Sequence, residues 1–356
     1  MDDFSILLYD KLRGPKDVSR QNLVCSPLSI KCALDMMAAG AKGSTLQAFE
    51  DIEALSPHSP HHDIDSNKMT VSNAMFVREW AKLKPEYRSF LEEKFEAKVS
   101  QVASDIDCAS LCKEINNWCN ERTKGMIREM AEPSDVAKDI AIVLLNAVWF
   151  KDRWKEAFDK NLTRVAMFWT SPGKSVEILF MNKTLYLPYC DFGFAQMVKI
   201  PYMGPFSMFV ILPKDFEVTE DAMAGFLFND WEKQLKTQAV RLSIPKFSLT
   251  TTIALNEAIK QLGLGIIFDK YKADFHGMCS KEDVPFLWVS KVKQKAKIDV
   301  DEEGTEAAAV TMAGFSGYSG GSNYKVISFK VNRPFMFVIQ HNEIPTALFM
   351  GRVVNL

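Results

Sequence analysis

A single α+β domain is predicted, and three features of the sequence predict it. Amphipathic helical patterns fill the first third of the chain, while strand-like runs crowd the middle and the end. The last Gly/Ser cluster, Gly314–Ser322, is followed by too few residues to fold alone. At 356 residues with 47% hydrophobic composition, the chain can bury a large core as one domain spanning 1–356.

The first helix pattern, Ser26–Gly40, opens on Ser-Pro and closes on glycine, the residues that favour each end. Helical spacing recurs over Lys84–Lys94 and Cys108–Met130. A continuous apolar run, Ile140–Phe150, reads as a strand buried on both faces. Further strands are expected over Ala195–Ile200, Met208–Leu212 and Val240–Leu249. A helix over Ile253–Leu262 stops at Gly263, and an alternating strand runs over Trp288–Val300. Three short strands, Lys325–Val331, Phe335–Gln340 and Ala347–Val353, close the chain and must complete a sheet begun earlier.

The segment about 302–324 is therefore a long loop anchored in the fold at both ends, a length that usually serves function. Its first part, Glu302–Thr311, has an unusual pattern. Thr305, Ala307, Ala309, Thr311 and Ala313 are small or hydroxylic and alternate, so they share one face of any strand they form. The same chain runs on into Gly314, Gly317, Gly320 and Gly321, which read as exposed loop. A segment with two folded destinations is a switch.

Bulk charge narrows the partners. Lys+Arg 43 against Asp+Glu 45 leaves −2, so no basic field favours nucleic acid or an anionic membrane. No apolar run approaches the roughly 18 residues of a membrane span. The start of the chain carries acids where a signal peptide carries lysine or arginine, and the 7 cysteines are odd in number. A reducing, cytoplasmic location is expected, with unconventional secretion left open. The sequons at Asn161 and Asn182 weigh little against that.

Competing chemistries have little to stand on. His58, His61 and His62 sit in a Ser/Pro-rich stretch without cysteine or ligand spacing, so no metal is expected. Cys108, Cys112 and Cys119 fall on one helix face, a stripe that suits burial better than nucleophilic catalysis. Lys291, Lys293, Lys295 and Lys297 alternate along a strand and read as its solvated face. Gln294 then points inward with Val292 and Ala296. No phosphate loop, paired carboxylates or nucleophile elbow stands out. The chain is expected to be no enzyme and to need no cofactor.

Six segments, in order and nearly end to end, resemble the serpins. They are Asn22–Ile30 (NLVCSPLSI), Asn146–Trp154 (NAVWFKDRW) with Phe158, Leu242–Phe247 (LSIPKF) with Leu262–Leu264 (LGL), Glu302–Thr311 (EEGTEAAAVT), Asn332–Phe335 (NRPF) and Phe349–Arg352 (FMGR). Without a signal peptide the chain resembles the intracellular ovalbumin-like type. The resemblance implies three β-sheets, eight or nine helices, an exposed reactive-centre loop and a metastable native state. It also implies suicide inhibition of a protease, with the cleaved loop inserted into the central sheet.

Residue by residue, the resemblance assigns a hinge to Glu302, Gly304, Thr305, Glu306, Ala307, Ala308, Ala309, Val310 and Thr311. Counted on from Gly304 by the family's spacing, the reactive bond is Tyr318-Ser319. An aromatic bait suits a chymotrypsin-like serine protease such as cathepsin G, held as a covalent complex by a monomeric inhibitor. The loop is longer than usual beyond this bond, so Phe315, Tyr324 and above all Lys325, a bait for trypsin-like enzymes, stay open. Ser26, Ser29, Asn146 and Gln294 fall in the shutter, where the sheet parts; Gln294 stands where the family usually has histidine. Trp154, Lys246 and Glu302 fall in the breach, where insertion begins. The alternative function is a non-inhibitory carrier, chaperone or storage serpin, against which the small residues Ala307–Ala309 argue.

Overall fold

The computed structural model describes residues 1–14, 21–52, 55, 68–136, 140–223, 228–280, 282, 284–305, 326–343 and 347–356. In chain order these form α1 (Asp3–Leu12), β1 (Leu23–Cys25), α2 (Pro27–Gly40), α3 (Gly43–Glu50), β2 (Met69–Arg78), α4 (Pro85–Phe95), β3 (Lys98–Val102), α5 (Cys108–Arg122), β4 (Ile142–Phe150) and β5 (Asp152–Arg153). There follow β6 (Arg164–Ser171), β7 (Lys174–Asp191), β8 (Ala195–Pro201), β9 (Phe206–Pro213), α6 (Phe216–Ala222), α7 (Phe228–Gln234), β10 (Lys236–Pro245) and β11 (Phe247–Ala254). The chain closes with α8 (Asn256–Ile259), β12 (Val289–Val300), β13 (Gly304–Thr305), β14 (Ile327–Lys330), β15 (Phe335–His341) and β16 (Ala347–Val353).

The strands form two hydrogen-bonded sheets among the described residues. The central sheet has 7 strands in the order β3-β2-β4-β12-β13-β5, with β11 also on β12. The other has 9, in the order β1-β16-β15-β9-β8-β7-β10-β14 with β6 on β7. Two of the three expected sheets are thus joined, because β7 runs unbroken for 18 residues. Its start pairs with β6, its middle with β10 and its last residues with β8.

The main core lies between the sheets: Val148, Phe150, Ala296, Ile298 and Phe247 of the central sheet meet Phe337, Ile339 and Val210 of the other. Every residue of β4 is buried, as its continuous apolar run predicts. One face is covered by α2, with Ile30, Leu34 and Met37 against Met75, Leu144 and Val292. The opposite face carries α5, whose Leu111, Ile115, Trp118 and Cys119 pack on Phe76, Val143 and Leu145.

Three expected elements differ. The helix read as Cys108–Met130 stops at Arg122, because Lys124 and Gly125 turn to φ 52° and 85°. Residues beyond run back over the sheet as an irregular tail. The strand read as Val240–Leu249 is two strands: Pro245 has no N–H to continue a ladder, and the chain passes there from β10 to β11 in the other sheet. The helix read from Ile253 begins only at Asn256, because Ile253 is still paired with Gln294.

Candidate functional site

Strands β4 and β12 are neighbours and pair in parallel from Ile142–Val289 to Trp149–Lys297. Parallel register sets Asn146 directly beside Gln294 in the middle of this seam. Alternation along β12 turns Gln294 inward, and it is fully buried.

A closed set of polar groups bolts the seam to α2. Gln294 Nε2 donates to Asn146 Oδ1 at 2.8 Å and to the Ser26 carbonyl at 3.2 Å. The Ser26 N–H donates back to Gln294 Oε1 at 3.0 Å. Ser29 Oγ donates to Asn146 Oδ1 at 2.5 Å, and Asn146 Nδ2 donates to Asn73 Oδ1 on β2 at 2.7 Å. Ser26 also caps α2, its Oγ accepting from the Ser29 N–H at 3.3 Å. The capping role and the seam role coexist. All five side chains are at most 3% exposed, and none titrates near neutrality. An unpaired member would be costly in such a dry network.

At the end of the seam, β12 turns back. Thr305 pairs with Val300 of β12 on one side and Asp152 of β5 on the other, so β13 is an antiparallel strand wedged between them. Only glycine fits before it: a Cβ on Gly304 would lie 2.1 Å from the Asp152 carbonyl oxygen. Thr305 is fully buried, and its Oγ1 shares a 2.7 Å hydrogen bond with the Tyr202 hydroxyl. The Tyr202 ring stacks on Trp154 at 4.4 Å. Trp154 Nε1 donates to the Asp301 carbonyl at 2.9 Å, and its N–H to the Glu303 carbonyl at 2.9 Å.

Glu302 anchors the turn. Lys246 Nζ reaches its Oε2 at 2.6 Å, and Thr163 Oγ1 donates to its Oε1 at 2.8 Å. Burial raises the Glu302 pKa, but those two donors and the Lys246 charge outweigh it and hold the carboxyl below its ordinary value.

The lysine row of β12 is not a solvated face. Lys293 is 6% exposed. It meets Asp135 Oδ2 at 2.6 Å, Lys291 pairs with the other oxygen of Asp135, and Lys295 donates to the Glu129 carbonyl. These acceptors lie on the tail beyond α5, which Asn116 fixes by accepting from the Met130 and Ala131 N–H groups at 2.7 and 2.8 Å. Ile127, Met130 and Val136 of the tail pack on β4 residues Val143, Leu145 and Ala147. The tail thus straddles the seam, apolar toward β4 and ionic toward β12.

The structure brings together Ser26, Ser29, Asn146 and Gln294 in one cluster, and Trp154, Lys246, Glu302, Gly304 and Thr305 in another. Glu306, Ala307, Ala308, Ala309, Val310, Thr311, the Tyr318-Ser319 bond and the rival baits Phe315, Tyr324 and Lys325 lie outside the described residues. So do His58, His61 and His62. Four participants escaped sequence reasoning: Asn73, Thr163, Tyr202 and Asp135. Asn73 left a faint signal as a polar residue inside an apolar strand; the others meet their partners only through the fold. Among the described residues no helix is long and apolar enough to cross a membrane.

Comparison with known proteins matches residues 1–356 to the family described as Serpin (serine protease inhibitor). Serpin B8 of Homo sapiens is 31% identical over 368 residues, covering 98% of this chain and 96% of that protein. Serpin B6 of Macaca fascicularis is 31% identical, covering 95% and 94%. The thermophilic serpin tengpin in its native state superposes with a TM-score of 0.84 at 29% identity, covering 99% and 92%. Serpin48 of Tenebrio molitor shares the fold with a TM-score of 0.85 at 24% identity, covering 99% and 96%.

Proposed function

This chain belongs to the serpin family, and from that premise we propose that it inhibits a chymotrypsin-like serine protease as a suicide substrate. The protease serine attacks the Tyr318 carbonyl carbon, the bond to Ser319 breaks, and the Ser319 amine leaves with a proton from the protease histidine. The freed hinge then zips down the seam before water reaches the acyl ester. Roughly 15 inserted residues at about 3.3 Å each carry the enzyme on the order of 50 Å. Distortion of its catalytic geometry halts deacylation, since displacement of about 1 Å already costs about a hundredfold in rate.

One observation carries this reading. Gly304 and Thr305 form a two-residue antiparallel strand between β12 and β5, where an inserted strand would begin, while β4 and β12 remain paired with each other. All seven cysteines are free, which supports a reducing cytoplasmic setting. The test is to mix the protein with chymotrypsin, cathepsin G and trypsin and look for a complex that survives SDS. A complex with the first two supports the reading; a complex with trypsin alone points to Lys325. Cleavage with no complex from any of the three supports a non-inhibitory carrier or chaperone instead.

A further inference from the structure

Strands β6, β7, β10 and β14 of the larger sheet carry a groove of about 540 Å³. Strand register builds it. Ser328, Arg241 and Thr184 stand side by side across β14, β10 and β7, and Lys330, Ser243 and Asn182 make a second row. Residues directly opposite share a face of the sheet, so both rows line the same side. The row between them, Phe329 and Leu242, points the other way into the core.

Arg164 of β6 and Lys183 of β7 complete the lining, so four cations and no carboxylate border the groove of a chain whose net charge is −2. Two of the four are held by neutral acceptors: Arg164 Nη1 donates to the Thr163 carbonyl at 2.8 Å, and Lys183 Nζ to the Ala157 carbonyl at 2.8 Å. Lys183 also meets Glu156 at 3.3 Å, but that carboxylate is solvent-exposed and lies outside the lining. Among the described residues Arg241 and Lys330 have no side-chain hydrogen bond or ion pair. Both are exposed, with the hydroxyls of Ser328 and Ser243 beside them.

We infer that this groove binds a compact organic polyphosphate, its phosphates shared among Arg164, Lys183, Arg241 and Lys330. Guanidinium forks, ammonium groups and hydroxyls are the donors that phosphate oxygens pair with best. Arg241 and Lys330 are diagonal neighbours, about 7–8 Å apart at the backbone, a span that suits adjacent phosphates of one small molecule better than a single ion. The volume falls in the range of small-molecule sites, and a concave cluster of like charges concentrates counter-ions. The ligand would also act on the sheet. Strand β14 has four residues, stands at the edge and pairs with β10 alone, so an anion bridging Lys330 to Arg241 and Lys183 fastens it. None of this depends on the inhibitory reading.

The experiment uses the full chain and inositol hexakisphosphate in titration calorimetry at about 0.15 M salt, with amide exchange read in parallel. Wild type should bind one hexakisphosphate per chain, and amides 327–330 should exchange more slowly when it is bound. Arg241→Gln/Lys330→Gln should weaken binding about tenfold or more and remove that protection. Lys113→Gln/Lys233→Gln, which removes the same charge from exposed sites elsewhere, should leave both unchanged. Melting of each variant without ligand separates lost binding from lost fold; should the groove pair fail to fold, Lys330→Gln alone makes the comparison. Absence of binding, equal weakening by both pairs, or unprotected 327–330 amides overturns the inference. So does equal protection by inorganic sulfate at the same charge concentration, which would mark an adventitious ion only. Stronger protection by a sulfated hexasaccharide would assign the groove to a polysaccharide and overturn the small-ligand reading.

Discussion

Gln294 on β12 and Asn146 on β4 meet side by side at 2.8 Å across the seam that a strand would have to open under the proposed mechanism. The contact is neutral amide to neutral amide. It fastens the sheet without any group whose charge changes between pH 5 and 8.

The rate at which loop insertion proceeds should therefore vary by less than about twofold from pH 5 to 8 as far as the seam is concerned. Gln294→His should change that. A buried imidazole has its pKa pushed below about 6.5, so the stability of its neutral form is present above that value and lost as the pH falls. A steep wild-type dependence that disappears in Gln294→Ala would contradict this account of the seam.

Acid should loosen the turn between β12 and β13 through Glu302. Its pKa in the folded protein is depressed below 4.5. The stability it contributes is present above its unfolded value and is lost as the pH drops through the folded one, in the window below about 4.5. Melting temperature measured from pH 3 to 7 should show an acid limb that Glu302→Gln abolishes. Lys246→Ala should cost about 1–3 kcal/mol at neutral pH by leaving a buried carboxylate short of a donor.

Asp135 should govern how firmly the tail beyond α5 holds β12. Burial raises its pKa, but the Lys291 and Lys293 hydrogen bonds more than offset this and keep it ionised and lowered. Asp135→Ala leaves Lys293 buried without its carboxylate and should cost about 3–5 kcal/mol in denaturant titrations. Amides 291–295 should exchange faster in that variant. Adding Lys293→Met should restore most of the loss, since an apolar replacement of a whole buried pair is often neutral; no recovery would show that the carboxylate has some other role.

The fragment released by chymotrypsin should begin at Ser319. Mass analysis decides between this and a start at residue 316 or 325, which would identify Phe315 or Tyr324 as the bait; Lys325 would show itself instead as an SDS-stable complex with trypsin whose released fragment begins at residue 326. In the first case Tyr318→Arg should move inhibition from chymotrypsin to trypsin, because an acidic specificity pocket replaces an apolar one as the best host.

Much of this site could be read from the chain because alternation is a local property. It turned Gln294 inward, and it grouped Thr305 with small residues suited to a buried strand. Alternation does not say what covers each face, so the lysines of β12 read as wet although the tail beyond α5 lies over them. The helix boundary failed for a related reason: Lys124 and Gly125 adopt left-handed backbone, and only the glycine advertised it. Thr163 and Glu302 are 139 residues apart, and Tyr202 and Thr305 103 apart. No periodicity reports such meetings; the β5–β13 junction creates them.

Thermal melting of the intact and loop-cleaved protein, run beside Thr305→Arg, bears most directly on insertion. Wild type should melt far higher once cut, by about 20 °C or more, if a whole new central strand is added. The arginine variant, which would have to bury its charge beside Tyr202, should be cut without that rise. Equal melting of cut and uncut wild type would mean that the seam never opens and that inhibition by strand insertion is not what this protein does.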